Sequence, residues 1–167
     1  MADDAPASPV PASAAPSYSL IGHYIRDLSF ENPTAPASIL GGAAPQVGLS
    51  ISVGVKKQTD DIYAVELTLT AKAERDKTVL FNVELVYGGV YRTKNIPEAQ
   101  LAPLLMVDCP QMIFPFARQV VATTIQAGGF PPVMMEPVDF RQIYVQNVRN
   151  MQAQQAAAAQ GGAPVAN

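Results

Sequence analysis

Two stretches of strict alternation constrain this chain more than anything else in it. Val47, Leu49, Ile51, Val53 and Val55 alternate with Gly48, Ser50, Ser52, Gly54 and Lys56. After Thr59-Asp60-Asp61, the residues Tyr63, Val65, Leu67, Leu69 and Ala71 alternate with Ala64, Glu66, Thr68, Thr70 and Lys72. A period of two places every apolar side chain on one side of a pleated strand, so both stretches predict half-buried strands joined by a turn. A charged turn, Glu74-Arg75-Asp76-Lys77, leads to a further strand over 78–87, with Val79, Phe81, Val83, Leu85 and Tyr87 on one face. Its second face, Leu80, Asn82, Glu84 and Val86, is less polar than a solvated face. That predicts a cover beyond one layer of helices, most simply a partner subunit. Gly88-Gly89 predicts a break after this strand.

Residues 18–31 mix aromatic and aliphatic side chains without a helical stripe and end at Asn32-Pro33, which predicts one more strand. Short connections make the last three strands antiparallel neighbours. Residues 33–46 contain Pro33, Pro36, Gly41, Gly42 and Pro45 and read as an irregular loop, long enough for a crossover or a functional segment. Beyond the strands the period changes. Residues 97–107 predict a short helix opening at Pro97. Residues 110–127, with Ile113, Phe114, Ala117, Val120, Val121, Thr124 and Ile125 at helical spacing, predict the longest helix, bent near Pro115 and stopped by Gly128-Gly129. A final helix starts at Asp139, with Gln142 in a capping-box position. Strands followed by helices predict an α+β fold.

Composition limits the domain count and excludes several classes of function. Of the 25 alanines, 13 lie in residues 1–17 and 151–167, so those ends are a predicted disordered Pro/Ala-rich arm and an uncharged, flexible Gln/Ala-rich tail around a single domain, 18–150. The net charge is −3 and no Lys/Arg run exceeds Lys56-Lys57, which argues against nucleic-acid binding. One cysteine, Cys109, and one histidine, His23, leave no disulfide and no Cys/His metal site. No apolar run approaches the roughly 18 residues of a membrane span, and Met-Ala-Asp-Asp is unlike a signal peptide, so the expectation is a soluble protein of a reducing compartment that does not insert into membranes.

No catalytic constellation is visible. A Cys109–His23 pair is the only imaginable nucleophile and base, and a buried structural thiol is the simpler reading. Nucleotide-binding and zinc-hydrolase motifs are missing, so the chain is expected not to be an enzyme and to need no cofactor. Two readings of the apolar surface remain open on composition alone. One is burial in assembly. The other is a groove for extended polypeptides built from loop 33–46, strand 47–55 and the last helix, with Met134 and Met135 as adaptable contacts.

The segment Cys109 to Arg118, CPQMIFPFAR, closely resembles the signature of the SecB family of bacterial export chaperones, near C-P-x-x-L-F-P-Y-A-R. Other pieces fall in the family's order: Ile25 to Pro33 (IRDLSFENP), Gln46-Val47 with its alternating strand, Tyr87-Gly88-Gly89-Val90, Gly129-Phe130-Pro131-Pro132 and Pro137-Val138-Asp139-Phe140. The resemblance spans residues 18–150. It implies a four-stranded antiparallel sheet with helices packed on one face, assembled as a dimer of dimers. It implies an ATP-independent cytoplasmic chaperone that binds unfolded preproteins and delivers them to the SecA motor. By the same resemblance, Asp27, Glu31, Asn82 and Glu84 fall on the SecA-binding surface. Val47, Leu49, Ile51, Phe81, Ile143, Tyr144 and Val148 fall in client-binding grooves, and Val83 and Leu85 match positions that affect the oligomer interface of the homotetramer.

The chain departs from the family where a loop tryptophan is replaced by Ala43 and a docking-surface leucine by Asn82. Two other readings stay open: a SecB-like chaperone dedicated to one partner such as an antitoxin, and a structural oligomer that binds no client.

Overall fold

The computed structural model describes residues 15–160, with side chains as far as residue 156. Residues 1–14 of the expected arm and 161–167 of the expected tail lie outside the described residues. Four strands, β1 (Ser17–Glu31), β2 (Gln46–Lys57), β3 (Ile62–Arg75) and β4 (Thr78–Lys94), form one antiparallel sheet in the order β1-β4-β3-β2. The first strand thus pairs with the last, and the chain crosses the end of the sheet before β2 begins. Segment 32–45 makes that crossing, and a single 3-10 turn, Ala37–Ile39, is its one regular element. The β3–β4 connection is the two residues Asp76 and Lys77, with φ of 49° and 64°. Two left-handed residues match the right-handed twist of the flanking strands, which is why so short a link works here.

The alternation seen in the sequence sorts the sheet into two faces. Val65, Leu67, Leu69, Ala71 and Ala73 of β3 lie in register with Gly89, Tyr87, Leu85, Val83 and Phe81 of β4, and the side chains of this inner face are buried. Against it packs α2 (Cys109–Ala127), whose Ile113, Ala117, Val121 and Ile125 recur every four residues and are fully buried. Each fully buried aliphatic side chain of this kind contributes about 1.5–3 kcal/mol of transfer free energy. The Tyr91 hydroxyl donates to the Cys109 carbonyl at 2.6 Å and pins the start of α2 to β4.

α2 is not a separate rod. A short α1 (Glu98–Pro103) runs into a π-helical turn, Leu104–Asp108, and directly on into α2. Pro110 has no N–H to return to the preceding turn, and a wider turn accommodates that loss. The last helix, α3 (Phe140–Gln160), begins as expected: the Asp139 carboxylate accepts the Gln142 backbone N–H at 3.0 Å.

Three expectations change. β4 does not break at Gly88-Gly89 but continues to Lys94. The glycines are there for space, since a β-carbon at Gly88 would overlap the Tyr24 ring and one at Gly89 would lie 2.9 Å from Tyr91 and 3.1 Å from Ile113. The longest helix is α3, with 21 residues against 19 in α2, because it runs on through the alanine- and glutamine-rich stretch to Gln160. The second face of β4 is covered within the chain: Leu80, at a bulge, and Val86, flanked in register by Asp27 and Thr68, are both buried. The exposed large apolar side chains lie elsewhere, on β1, the crossover, β2, α2, the link before α3 and α3 itself.

Because Tyr91 and Ile113 are themselves fully buried and cannot retreat, Gly89→Ala should destabilise the fold by about 1–3 kcal/mol. Gly88→Ala should cost less, since the half-buried Tyr24 ring can swing away. Urea unfolding of the two variants checks this; equal cost would remove the spatial explanation.

Candidate functional site

Where the crossover passes the end of the sheet it roofs a cavity of about 470 Å³ lined by residues 38–39, 41–45, Val47, Arg75, Phe81 and 129–133. Its floor is aromatic. Phe81 lies between Phe30, with ring centres 6.2 Å apart, and Phe130, at 4.9 Å. The roof is fixed at few points. The Ser38 hydroxyl donates to the Asn32 side-chain oxygen at 2.8 Å, and the Arg75 Nη1 donates to the Gly41 carbonyl at 2.8 Å. Ile39 rests on Gly129, whose φ of 89° and missing β-carbon admit it; a β-carbon there would lie 2.9 Å from Ile39. Around the mouth, Ile39, Leu40, Val47, Leu49 and Met134 are exposed, Leu40 by 85%. An apolar cavity under a thinly held roof, with apolar side chains on its rim, suits an extended apolar polypeptide.

The sequence-predicted client residues are only partly brought together. Val47 and Phe81 line the cavity, and Leu49 and Ile51 continue along the same face of edge strand β2. Ile143 and Tyr144 of α3 are half-buried against the core, and Val148 is half-buried one turn further on. None of the three lines the cavity, and the expected contribution of the last helix is replaced there by the link 129–133. Met134 is exposed, whereas Met135 is buried, with its carbonyl accepting from Arg118 at 3.4 Å. Sequence reasoning missed Arg75 as a wall residue, because it reads as part of a charged turn.

The outer face carries the predicted docking residues side by side. In register, Glu31 faces Asn82, Ser29 faces Glu84 and Asp27 faces Val86. Asp27, Glu31 and Glu84 are exposed and enter no ion pair among the described residues. Farther along the same face, Glu66 is engaged: Arg26 reaches it at 2.5 Å, Lys56 at 3.3 Å and the Tyr24 hydroxyl at 3.4 Å. Glu66 sits between Gly54 and Gly88 in register, and it is 8% exposed. Burial, and then the Glu66 carboxylate, raise the Tyr24 phenol above its usual range.

A third surface is apolar and open. Tyr18, Ile21, Ile25 and Leu28 of β1 and Met112 and Phe116 of α2 are all exposed. His23 joins the two elements, stacking on Phe116 with ring centres 4.6 Å apart and sharing a hydrogen bond with the Tyr87 hydroxyl at 2.5 Å. Val83 and Leu85 do not lie on this surface; both are fully buried in the core of the single chain, so any influence on assembly passes through that packing. Cys109 is equally buried, and burial, reinforced by the Asp108 carboxylate, pushes its thiol up to about 12, far from the range of a nucleophile. No helix among the described residues is long and apolar enough to cross a membrane.

These features can be set beside known proteins. A family model described as SecB, preprotein translocase subunit SecB, matches residues 11–151. A protein-export protein SecB of Bradyrhizobium sp. (strain BTAi1) is 46% identical over 147 residues, covering 87% of this chain and 91% of that one. A protein of the same description from Rhodopseudomonas palustris (strain BisB5) is 46% identical over 149 residues, covering 89% and 94%. Among solved structures, the SecB-like chaperone of Mycobacterium tuberculosis in complex with an antitoxin peptide superposes with a TM-score of 0.60 at 12% identity, over 72% of this chain and 90% of that one, a likeness of fold. The matched span takes in the whole sheet, the cavity beneath its crossover and the start of α3, and the chain belongs to the SecB family of preprotein-export chaperones.

Proposed function

We propose that this chain is an ATP-independent holdase of the cytoplasm that binds unfolded preproteins along the cavity and strand β2, keeps them extended and hands them to the SecA motor. The observation that carries the client part is the apolar cavity of about 470 Å³ with an exposed apolar rim leading onto Val47, Leu49 and Ile51. Unfolded chains expose apolar side chains that folded proteins bury, and burial of each against such a surface is favourable with little demand on sequence. No covalent step is required. Several weak contacts along one chain, spread over several protomers, supply the retention time.

The predicted docking residues support a second role for the outer face. Three carboxylates on one sheet face, none of them in an ion pair among the described residues, attract a basic partner, and the charge acts mainly on encounter and register. The open apolar surface of Tyr18, Ile21, Ile25, Leu28, Met112 and Phe116 supports assembly. Burying it between protomers accounts for its exposure in the single chain, and a homotetramer built as a dimer of dimers is the assembly we propose.

The first test is dilution of a slow-folding precursor from urea into the protein without nucleotide, against the same precursor already folded. Complex formation with the unfolded form alone is expected. Val47→Ser with Leu49→Ser should weaken capture by about tenfold or more, equivalent to ~1.4 kcal/mol; unchanged capture would remove β2 from the binding surface, and failure of the parent protein to capture the unfolded precursor would favour a structural oligomer. For docking, Asp27→Lys with Glu31→Lys should weaken SecA binding and leave precursor capture intact, and equal SecA affinity would refute the outer face as the docking surface. For assembly, sedimentation of Ile25→Asp with Phe116→Asp should show a smaller species than the parent, while an unchanged mass would place the interface elsewhere.

A further inference from the structure

His23 is the only histidine of the chain, and it stands on β1 between Ile21 and Ile25, within the open apolar surface. Its ring stacks on Phe116 of α2, and Nδ1 shares a hydrogen bond with the Tyr87 hydroxyl. Tyr87 is buried, and burial raises its phenol above the usual range, so the hydroxyl keeps its proton and a neutral imidazole satisfies it. The histidine is otherwise exposed.

The elements packed around His23 offer no carboxylate to balance a proton taken up there. On β1, Asp27 belongs to the outer face, and Arg26 is bound there to Glu66. On β4, His23 lies in register with Gly89; Glu84 is on the outer face, and Arg92 is paired with Asp61. The Tyr91 phenol and the Cys109 thiol are both raised by burial and stay neutral. On α2, the charged residue nearest Phe116 in sequence is Arg118, a cation whose Nη1 donates to the Met135 carbonyl. Asp108, just ahead of α2, lies about 12 Å of helix rise before Phe116. Its carboxylate acts instead on Tyr18, whose phenol is raised by burial and then by that charge.

Burying this surface against a second copy strips water from the imidazole. A neutral ring fits such a contact, whereas a protonated ring brings an unpaired charge into it, and the desolvation of that charge opposes assembly. We propose that His23 makes the association of protomers pH-dependent, favouring the assembly when neutral and opening it when protonated. This rests on the reading of the β1–α2 surface as a contact between copies of the chain. The neutral form is the one that fits, so association is strongest above the range in which imidazoles titrate. It weakens as the pH falls through that range, from about 7.5 to about 5.5. Retention of an extended client, which draws on several protomers at once, weakens with it.

The test is sedimentation of the full chain over a dilution series at about pH 8 and about pH 5.5, with far-ultraviolet circular dichroism to verify folding at both. The parent protein should be assembled at the higher pH. At the lower pH its association constant should fall by about tenfold for each histidine buried in the contact. His23→Gln keeps a neutral hydrogen-bonding group at both pH values and should lose most of that dependence. His23→Lys carries its charge at both and should sediment as the smaller species already at the higher pH. An association constant that does not change with pH in the parent protein overturns the proposal, and so does a dependence that survives in His23→Gln. A parent protein that sediments as a single chain at the higher pH, or an unchanged mass in the Ile25→Asp, Phe116→Asp variant, would instead remove the assembly surface itself, and the role of His23 with it.

Discussion

Burial of the β3–β4 inner face beneath α2 is the contact on which everything else depends. Val65, Leu67, Leu69, Val83 and Leu85 meet Ile113, Ala117, Val121 and Ile125 with no solvent left between them. Because this core uses the two middle strands, both edges stay lightly covered: Leu49 of β2 and Ile25 of β1 are each about half exposed. The strand order makes that division inevitable. With β4 beside β1 and β2 at the far edge, the crossover has to travel round the end of the sheet, and it roofs the cavity as it goes. A central core, two apolar edges and a loosely pinned strap therefore come from one topological choice.

Much of this was legible in the residues because the physics was local. Strict alternation fixed the faces of β2 and β3, and Asp139 announced the start of α3 through its side-chain acceptor. β1 was harder to read. Its register with β4 slips between Leu20 and Gly22 and again between Ile25 and Asp27, so the inward residues are spaced unevenly and no period of two survives. Gly88-Gly89 looked like punctuation because glycine pairs usually end strands; the reason for them is Tyr24, Tyr91 and Ile113, none of which is adjacent in sequence to Gly88 and Gly89 together. α3 was cut short because its apolar stripe fades, although alanine and glutamine sustain a helix without one.

For the candidate site, the residues carried over from the family resemblance were informative about faces and less so about contacts. Asp27, Glu31, Asn82 and Glu84 fall together on the outer face, and Val47 and Phe81 on the cavity. Ile143, Tyr144 and Val148 are on α3, away from the cavity lining, and Val83 and Leu85 are interior. Arg75 was invisible because a turn of four charged residues reads as solvated. Only the path of the crossover brings Gly41 and Gly42 against it, and that path is a property of the whole sheet.

The cluster at Glu66 has a mechanical side. One carboxylate on β3 holds Arg26 and Tyr24 from one edge strand and Lys56 from the other, passing over Gly88 of the strand between. It works as a cross-brace, so that bending at one margin of the sheet is felt at the other. It also neutralises the acid in its own row, while Asp27, Glu31 and Glu84 follow in the rows beyond it, toward the C-terminal end of β1. In the docking proposed above, a basic body approaching this face would meet a charge set to one side of a braced sheet instead of centred on it.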